Sequence, residues 1–428
     1  MDLMGPARLR GSDRQGTAPG PADPLRILIG LEGLALGGCP INALDLGRAL
    51  RARGHTVNIF AVDEDVRVSL VPYAEASGFD VTVLPARSGV LGRARQIRRL
   101  AQQQSADVVH LFAPWLGVAA VGVHWSRRSC ATVVTNWMMN NVSYTPARTP
   151  LILGTRKLQR EAQVNHRSRV WLLEPPVDLA ADAPDPELGL RFRREVGIGD
   201  DEIAVVIVSR LDTHMKAEGI RHAIDAVAAL DLPDVRLVVI GDGNASGELR
   251  RRAADANHEL GRTAVLLPGA LHDPRPAYAG ADVTMGMGGS ALRALAHGKP
   301  LIVLGERGFA KTFDRDSEDD FSESGFYGDH PTENPVAHLA GLLADVLPPE
   351  RRRELGAFGL ARVHERYGLD AAADHLEVIY RTSLQQLPPR ASRWASALYV
   401  LLRAEGHAVR ARVRGVLRVA SGRLTAEV

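Results

Sequence analysis

Short apolar runs alternate with amphipathic segments along the chain. The first run, residues 25–30 (LRILIG), is continuous, as is typical of a strand buried on both faces. A glycine-rich turn and a helical pattern over residues 41–53 follow it, and residues 57–61 begin the next strand. This order of strand, helix and strand predicts a parallel sheet with helices on both faces.

The alternation occurs in two blocks. In the first block we expect further strands at residues 81–84, 107–112, 131–135 and 170–173. A stretch rich in Pro, Asp and Ala, residues 174–186, interrupts the pattern and predicts a linker. The second block predicts strands at residues 203–209, 235–240, 264–267, 282–285 and 300–304. Two Rossmann-like domains facing each other across a cleft follow, with ligands expected at the carboxyl ends of the strands.

These patterns divide the chain into five parts. They are a disordered leader (1–24), a first domain (25–178), a second domain (179–370), a helix that returns toward the first domain (371–387) and a basic amphipathic tail (388–428). The leader lacks the apolar segment of a secretory signal. The tail carries eight arginines against two glutamates, which leaves two alternatives open: a solvated helix packed on the body, or contact with an anionic membrane surface.

Composition excludes several classes of protein. Hydrophobic residues make up 45% and charged residues 24%, a balance typical of folded domains. The formal net charge of +2 gives no basis for nucleic acid as a partner. No apolar run approaches the ~18–20 residues of a membrane-spanning helix. The two cysteines, Cys39 and Cys130, form neither a disulfide framework nor a cysteine metal cluster, so we expect a cytoplasmic protein.

The densest chemical signal is a pair of cations after the strand at residues 203–209. Arg210 and Lys216 follow the end of this strand, and lysine is rare in a chain that has only four. A guanidinium fork and a compact ammonium can hold a diphosphate from two directions. The alternative is two ordinary surface cations.

Glycine-rich turns supply a second signal. Residues 285–289 (MGMGG) lead into a helix that begins near Ser290, and the N-terminus of a helix favours anions. Gly37 and Gly38 precede the first helix of the first domain. Neither this turn nor residues 241–243 (GDG) completes a dinucleotide fingerprint, which disfavours a nicotinamide oxidoreductase.

Other catalytic motifs are weak or missing. Residues 63–65 (DED) follow a strand and resemble a metal-binding acidic pair, but two Rossmann-like halves contradict the single-domain transferases that use one. The sequence has no GxSxG elbow, no GxxxxGK[ST] loop and no Cys/His cluster with metal-ligand spacing.

The order of motifs over residues 25–387 resembles the GT-B glycosyltransferases, and among them the retaining family 4 group. The segments that carry the resemblance are residues 48–57 (RALRARGHTV), 107–112 (DVVHLF), 175–178 (PPVD), 209–216 (SRLDTHMK), 241–243 (GDG), 266–269 (LLPG) and 293–303 (RALAHGKPLIV). In the fourth of these the lysine stands one residue later than is usual in the family.

The resemblance implies transfer of a sugar from a nucleotide diphosphate donor to an acceptor, with retention and without a metal or cofactor. It implies that Arg210 and Lys216 neutralise the leaving diphosphate. The residues that it places around the donor are Gly37, Gly38, Gly241, Gly243, Gly269, Gly288, Gly289, Ser290, Ala291 and Arg293. The acceptor is expected to be a small molecule, a lipid or a glycan.

The chain departs from the family at two glutamates, eight positions apart, that bind the donor sugar and the ribose. Met285 and Arg293 stand at these positions, and neither side chain accepts the hydrogen bonds that a carboxylate would. We expect Glu306, just past the strand at residues 300–304, to supply the carboxylate; the alternative is a solvated glutamate paired with an arginine. A histidine that often follows the family's fourth strand is replaced by Asn136 or Trp137.

Three functions fit these observations. The first is a glycosyltransferase. The second is a non-catalytic relative that binds a nucleotide sugar or a glycan, and the third is an epimerase acting on a nucleotide sugar. Turnover of a nucleotide-sugar panel separates them.

Overall fold

A computed structural model describes residues 23–402, except for residues 67, 87, 126–128, 140–148, 166–168, 388 and 396. The predicted leader lies almost entirely outside the described residues, as do residues 403–428 of the predicted tail. The described residues form two α/β domains with a cavity between them.

The first domain contains a seven-stranded sheet in which all neighbouring strands are parallel. Its strands are β1 (Arg26–Leu31), β2 (Thr56–Val62), β3 (Val81–Leu84), β4 (Val108–Leu111), β5 (Ala131–Asn136), β6 (Leu151–Leu153) and β7 (Val170–Leu172). The order β3-β2-β1-β4-β5-β6-β7 places β1 between β2 and β4. Five of the six residues of β1 are buried, as its continuous apolar run predicts.

Helices cover both faces of this sheet. They are α1 (Gly38–Ala52), α2 (Val71–Ala76), α3 (Val90–Gln103), α4 (Leu116–Ala120) and α5 (Arg156–Val164), with a 3-10 turn at Val121–Trp125. Successive residues of β1 point to opposite faces. Ile29 therefore packs with Leu44 of α1 in one apolar cluster, and Leu28 packs with Ile97 of α3 in another.

The second domain has six strands in the order β10-β9-β8-β11-β12-β13. They are β8 (Ile203–Val208), β9 (Val235–Ile240), β10 (Val265–Gly269), β11 (Val283–Gly286), β12 (Leu301–Leu304) and β13 (Ala310–Thr312). Its helices are α6 (Pro186–Val196), α7 (Ala217–Leu230), α8 (Ser246–Leu260), α9 (Arg275–Gly280), α10 (Gly289–Ala296), α11 (Glu318–Ser324), α12 (Pro335–Val346) and α13 (Pro349–Arg366). Only β13 is antiparallel to its neighbour among these strands.

The chain then returns to the first domain through α14 (Leu369–Gln385). Leu376, Ile379 and Tyr380 of this helix are buried in the same cluster as Ile29. The Tyr380 hydroxyl lies 2.6 Å from Nδ1 of His110, and burial lowers the pKa of His110 to about 3, so this buried contact involves a neutral imidazole.

Residues 390–395 and 397–402, the C-terminal helical segment, also lie against the first domain. Ala397 and Leu401 are buried in the cluster that contains Ile97 of α3. One side of this segment therefore packs on the body of the protein, as the first of the two alternatives for the tail predicts.

The predicted fold class is confirmed, because both domains have the expected parallel sheets. The linker prediction was too long. Pro186 begins α6, where proline is favoured in the first turn, and the Asp185 carboxylate caps the helix by accepting from the Leu188 N–H at 2.9 Å. Strands β6 and β13, of three residues each, were not predicted.

Candidate active site

A cavity of about 500 Å³ lies between the two domains. The first domain contributes the loop after β1 and the start of α1, including Gly37, Gly38 and Asn42. The second contributes the loops after β8, β9, β10 and β11. Because parallel strands end at the same edge of a sheet, these loops converge there, as expected for an α/β ligand site.

The loop after β8 carries the two predicted cations into this cavity. Two glycines after β9 allow it to approach: a Cβ at Gly241 would overlap the Ser209 carbonyl oxygen, and one at Gly243 would overlap that of Leu211. The Leu211 N–H donates to the Asp242 carbonyl at 2.9 Å and fixes the two loops to each other. Gly241 and Gly243 line the cavity, and the close loop packing explains why they are glycines.

Arg210 and Lys216 both line the cavity but differ in environment. The Arg210 side chain is 61% exposed, and its Nη1 lies 3.3 Å from Asp212 Oδ2. Lys216 directly precedes α7 and is half-buried, whereas Arg210 is exposed. Burial and the positive charge of Arg210 lower the pKa of Lys216 to about 8, against the opposing effects of Asp212 and Glu306. An anion bound between the two cations would relieve this repulsion.

The turn between β11 and α10 provides N–H donors in the same cavity. Gly288 has a φ of 58°, which favours glycine, and its N–H donates to the Phe326 carbonyl at 3.0 Å. Gly289 and Ser290 line the cavity, and no described residue accepts a hydrogen bond from their N–H groups. At the N-terminus of a helix, two such donors favour an anion.

Ala291 and Gly269 differ from the expectation for donor-binding residues. The Ala291 N–H donates to the Gly288 carbonyl at 3.1 Å within the first turn of α10, and its side chain is buried. That N–H is therefore already bonded in the protein. Gly269 does not line the cavity, but its carbonyl accepts from the Gly241 N–H at 2.9 Å and so supports the loop after β9.

Gly37 and Gly38 form the wall of the first domain. A Cβ added to Gly38 would meet no atom within 4 Å, so packing does not require a glycine at this position. Gly37 is the N-cap of α1, and its carbonyl accepts from the Ile41 N–H at 3.0 Å. Both residues leave the start of this helix open to the cavity.

Arg293 lines the cavity and joins the two domains. Its Nη1 lies 2.9 Å from Asp182 Oδ2, and its Nη2 lies 3.3 Å from Asp45 Oδ2 in α1. Burial alone would lower the pKa of Arg293, but Asp182 and Asp45 raise it above its ordinary value. The guanidinium is thus held by carboxylates of the protein itself. Sequence reasoning missed both partners, although Asp45 stands among the buried positions of α1.

Glu306 does not line the cavity, but it lies close enough to Lys216 for its charge to act there. The Tyr327 hydroxyl donates to Glu306 Oε2, and the Glu306 N–H donates to the Gly328 carbonyl at 2.9 Å. The negative charge of Glu306 acts on Lys216. The structure therefore places Glu306 near Lys216 of the cation pair, and its side-chain hydrogen-bond partner is a tyrosine, not an arginine.

The other two family positions are also enclosed in the protein. Met285 lies within β11 and is 2% exposed, so its side chain belongs to the core. Asn136 ends β5 and is fully buried, and Trp137 Nε1 donates to the Leu173 carbonyl at 2.8 Å. Polar residues that the sequence did not single out also line the cavity: Asn42, Asp212, Asp242, Asn244, His272 and Tyr278.

Two family models match the sequence, one in each domain. Residues 37–185 match the glycosyl transferase 4-like domain, and residues 202–328 match glycosyl transferases group 1. A search of curated proteins found no match.

Solved structures with the same two-domain architecture share little sequence with this chain. The glycosyltransferase from Rickettsia africae ESF-5 is 13% identical, with a TM-score of 0.64 over 85% of this chain and 100% of that chain. Anabaena Alr3699/HepE in complex with UDP and glucose is 16% identical, with a TM-score of 0.63 over 85% and 100%. The catalytic domain of starch synthase IV from Arabidopsis thaliana, bound to ADP and acarbose, is 14% identical, with a TM-score of 0.61 over 85% and 100%.

Proposed function

Since this chain is a glycosyltransferase with a GT-B fold, we propose that it transfers a sugar from a nucleoside diphosphate sugar to an acceptor hydroxyl, with retention and without a bound metal. One observation carries the proposal. The interdomain cavity places the cations Arg210 and Lys216 together with the open N–H groups of Gly289 and Ser290.

The reaction needs positive charge where the diphosphate departs. The bond between the anomeric carbon and the β-phosphate oxygen breaks, and its electron pair leaves with the diphosphate. The acceptor oxygen takes its place on the same carbon, and the hydroxyl proton passes to the departing diphosphate or to solvent. Arg210, Lys216 and the N-terminus of α10 stabilise the charge that develops, which is the usual means of lowering such a barrier.

The donor class is supported by the cavity and by the solved structures. Anabaena Alr3699/HepE is described with UDP and the starch synthase domain with ADP. We propose a nucleoside diphosphate donor whose ribose is not held by a carboxylate at position 293, because that position carries a guanidinium bound to Asp182 and Asp45. We propose that the negative charge of Glu306 favours the protonated form of Lys216, and that Lys216 in turn binds the donor diphosphate.

The acceptor is proposed to be a small molecule, a lipid or a glycan, and the reaction to take place in the cytoplasm. Cys39 and Cys130 form no disulfide in the described structure, which supports this compartment. Within the described part of the chain, no helix has both the length and the apolar character needed to cross a membrane.

The test is release of nucleoside diphosphate from a panel of nucleotide sugars, with and without candidate acceptors. We expect turnover of at least one donor, a product of unchanged anomeric configuration by NMR, and activity in the presence of a chelator. Lys216→Ala should lower kcat/KM by about 10²–10³-fold. The matched control is Lys157→Ala, which removes an exposed lysine of α5 away from the cavity.

Three outcomes would contradict the proposal. Lys216→Ala with the activity of the control would place the chemistry elsewhere. An inverted product would exclude retention. Conversion of the donor to its epimer, with no sugar transferred, would favour the epimerase.

A further inference from the structure

We propose that the C-terminal helical segment and α3 together form a surface that binds anionic lipid bilayers. The segment (390–395 and 397–402) contributes exposed apolar side chains, and α3 contributes exposed arginines. This surface lies outside the cavity, so the inference concerns where the enzyme works and does not depend on the transfer reaction.

The segment is amphipathic, and only one side of it is covered. Ala397 and Leu401 are 1% and 0% exposed and pack into the first domain. The outward side chains are Trp394, Leu398, Tyr399 and Leu402, which are 42%, 50%, 64% and 57% exposed. They make up four of the ten large hydrophobic side chains that are exposed among the described residues, so this part of the surface is unusually apolar.

The charged residues of these two elements are all arginines, and two of them, Arg93 and Arg393, are buried. Residues 389–402 contain two arginines and no Asp or Glu, and the Arg390 guanidinium lies 4.8 Å from the Trp394 ring centroid. Helix α3 contains four arginines and no acidic residue, and Arg95 and Arg99 are exposed. In sequence, residues 403–428 add six arginines against two glutamates. Leucine and aromatic side chains beside arginines are typical of helices that lie in an anionic membrane interface.

The two elements lie on the same face of the first sheet. Ala94 and Ile97 of α3 belong to the apolar cluster that contains Ala397 and Leu401. The 3-10 turn Val121–Trp125 connects them, because α3 packs against it and Arg393 of the segment lowers the pKa of His124 in the turn, after the larger effect of burial. The proposed bilayer contact therefore involves two elements that cover the same face of one sheet.

The apolar area favours a lipid surface over a second copy of the chain. Four side chains of this size and exposure offer roughly 400 Å², about half of what each partner buries in a standard protein interface. The arginines would also need an acidic partner surface, which phosphate headgroups provide at any orientation.

The test is co-sedimentation of the full chain with vesicles of phosphatidylcholine alone or mixed with an equal part of phosphatidylglycerol. We expect binding to the mixed vesicles that weakens in high salt. The triple variant Trp394→Ser, Leu398→Ser, Leu402→Ser should lose at least about tenfold in partitioning. Arg95→Ala with Arg99→Ala should lose about tenfold or more, because each arginine near an anionic surface contributes about fivefold.

The matched control is Leu190→Ser, which removes an equally exposed leucine, 51% exposed, from α6 of the second domain. Thermal melts check that all variants fold, and donor turnover in solution should stay unchanged in all of them, so failure here is distinct from failure of the proposed chemistry.

Equal binding to both vesicle types would overturn the inference, as would full binding by the triple variant. Loss of binding only when residues 403–428 are removed would assign the contact to that segment instead. A wild-type dimer that the triple variant converts to a monomer, without vesicle binding, would assign the face to self-association.

Discussion

The depressed pKa of Lys216 predicts that activity falls on the alkaline side at an unusually low pH. With a pKa of about 8, the free enzyme carries Lys216 protonated in about nine molecules of ten at pH 7 and in about one of ten at pH 9. Only the protonated side chain offsets the charge of the leaving diphosphate. We therefore expect kcat/KM to decrease about tenfold between pH 7 and pH 9, since this quantity reports the ionisation of the free enzyme.

The assay is donor turnover at limiting substrate over this range, with Lys216→Arg as the comparison. Arginine stays protonated throughout, so its profile should remain flat up to pH 9 even if its absolute activity is lower. Proton uptake on binding of the nucleotide sugar, measured by calorimetry in buffers of different ionisation enthalpy, gives a second readout at pH 8.5. A flat wild-type profile together with no proton uptake would refute the reasoning.

Three further variants follow from the same contacts. Arg210→Ala should lower kcat/KM by about 10²–10³-fold with little change in melting temperature. The control Arg353→Ala, which removes a 76% exposed guanidinium, should change neither kcat/KM nor melting temperature. Equal activities of the two variants would contradict the role given to Arg210. Arg293→Met leaves the carboxylates of Asp182 and Asp45 buried without a countercharge. It should lower the free energy of unfolding by about 3–5 kcal/mol in denaturant titrations. An unchanged midpoint would show that the two ion pairs contribute little to stability. In Gly241→Ala the added Cβ must displace the loop that carries Arg210 and Lys216, so turnover should fall even where the protein remains folded. Turnover equal to that of the parent would contradict the role given to this glycine.

Much of the fold could be predicted from the sequence because buried parallel strands are continuous apolar runs. Residues 25–30 and 203–209 are such runs, and both lie in parallel sheets. Strands β6 and β13 have three residues each, which is too short to produce a periodic signal. The start of α6 was not predicted, because prolines occur both in linkers and in the first turn of helices.

The cavity could be predicted only in part. Arg210, Lys216 and the turn at Gly289 follow strand ends, and the sheet brings strand ends together. The partners of Arg293 could not be predicted, because Asp45 lies 248 positions away and belongs to the other domain. The position of Glu306 depends on its hydrogen bond to Tyr327, 21 residues later, which no local pattern indicates.

The central claim is that the donor diphosphate is bound between the cation pair and the start of α10. A crystal structure with a bound nucleoside diphosphate tests it most directly. We predict phosphate oxygens within about 2.7–3.2 Å of Lys216 Nζ and of the Gly289 or Ser290 nitrogen, with Arg210 in contact with the same group. A diphosphate bound outside the interdomain cavity, or within it but away from Lys216 and α10, would contradict the account.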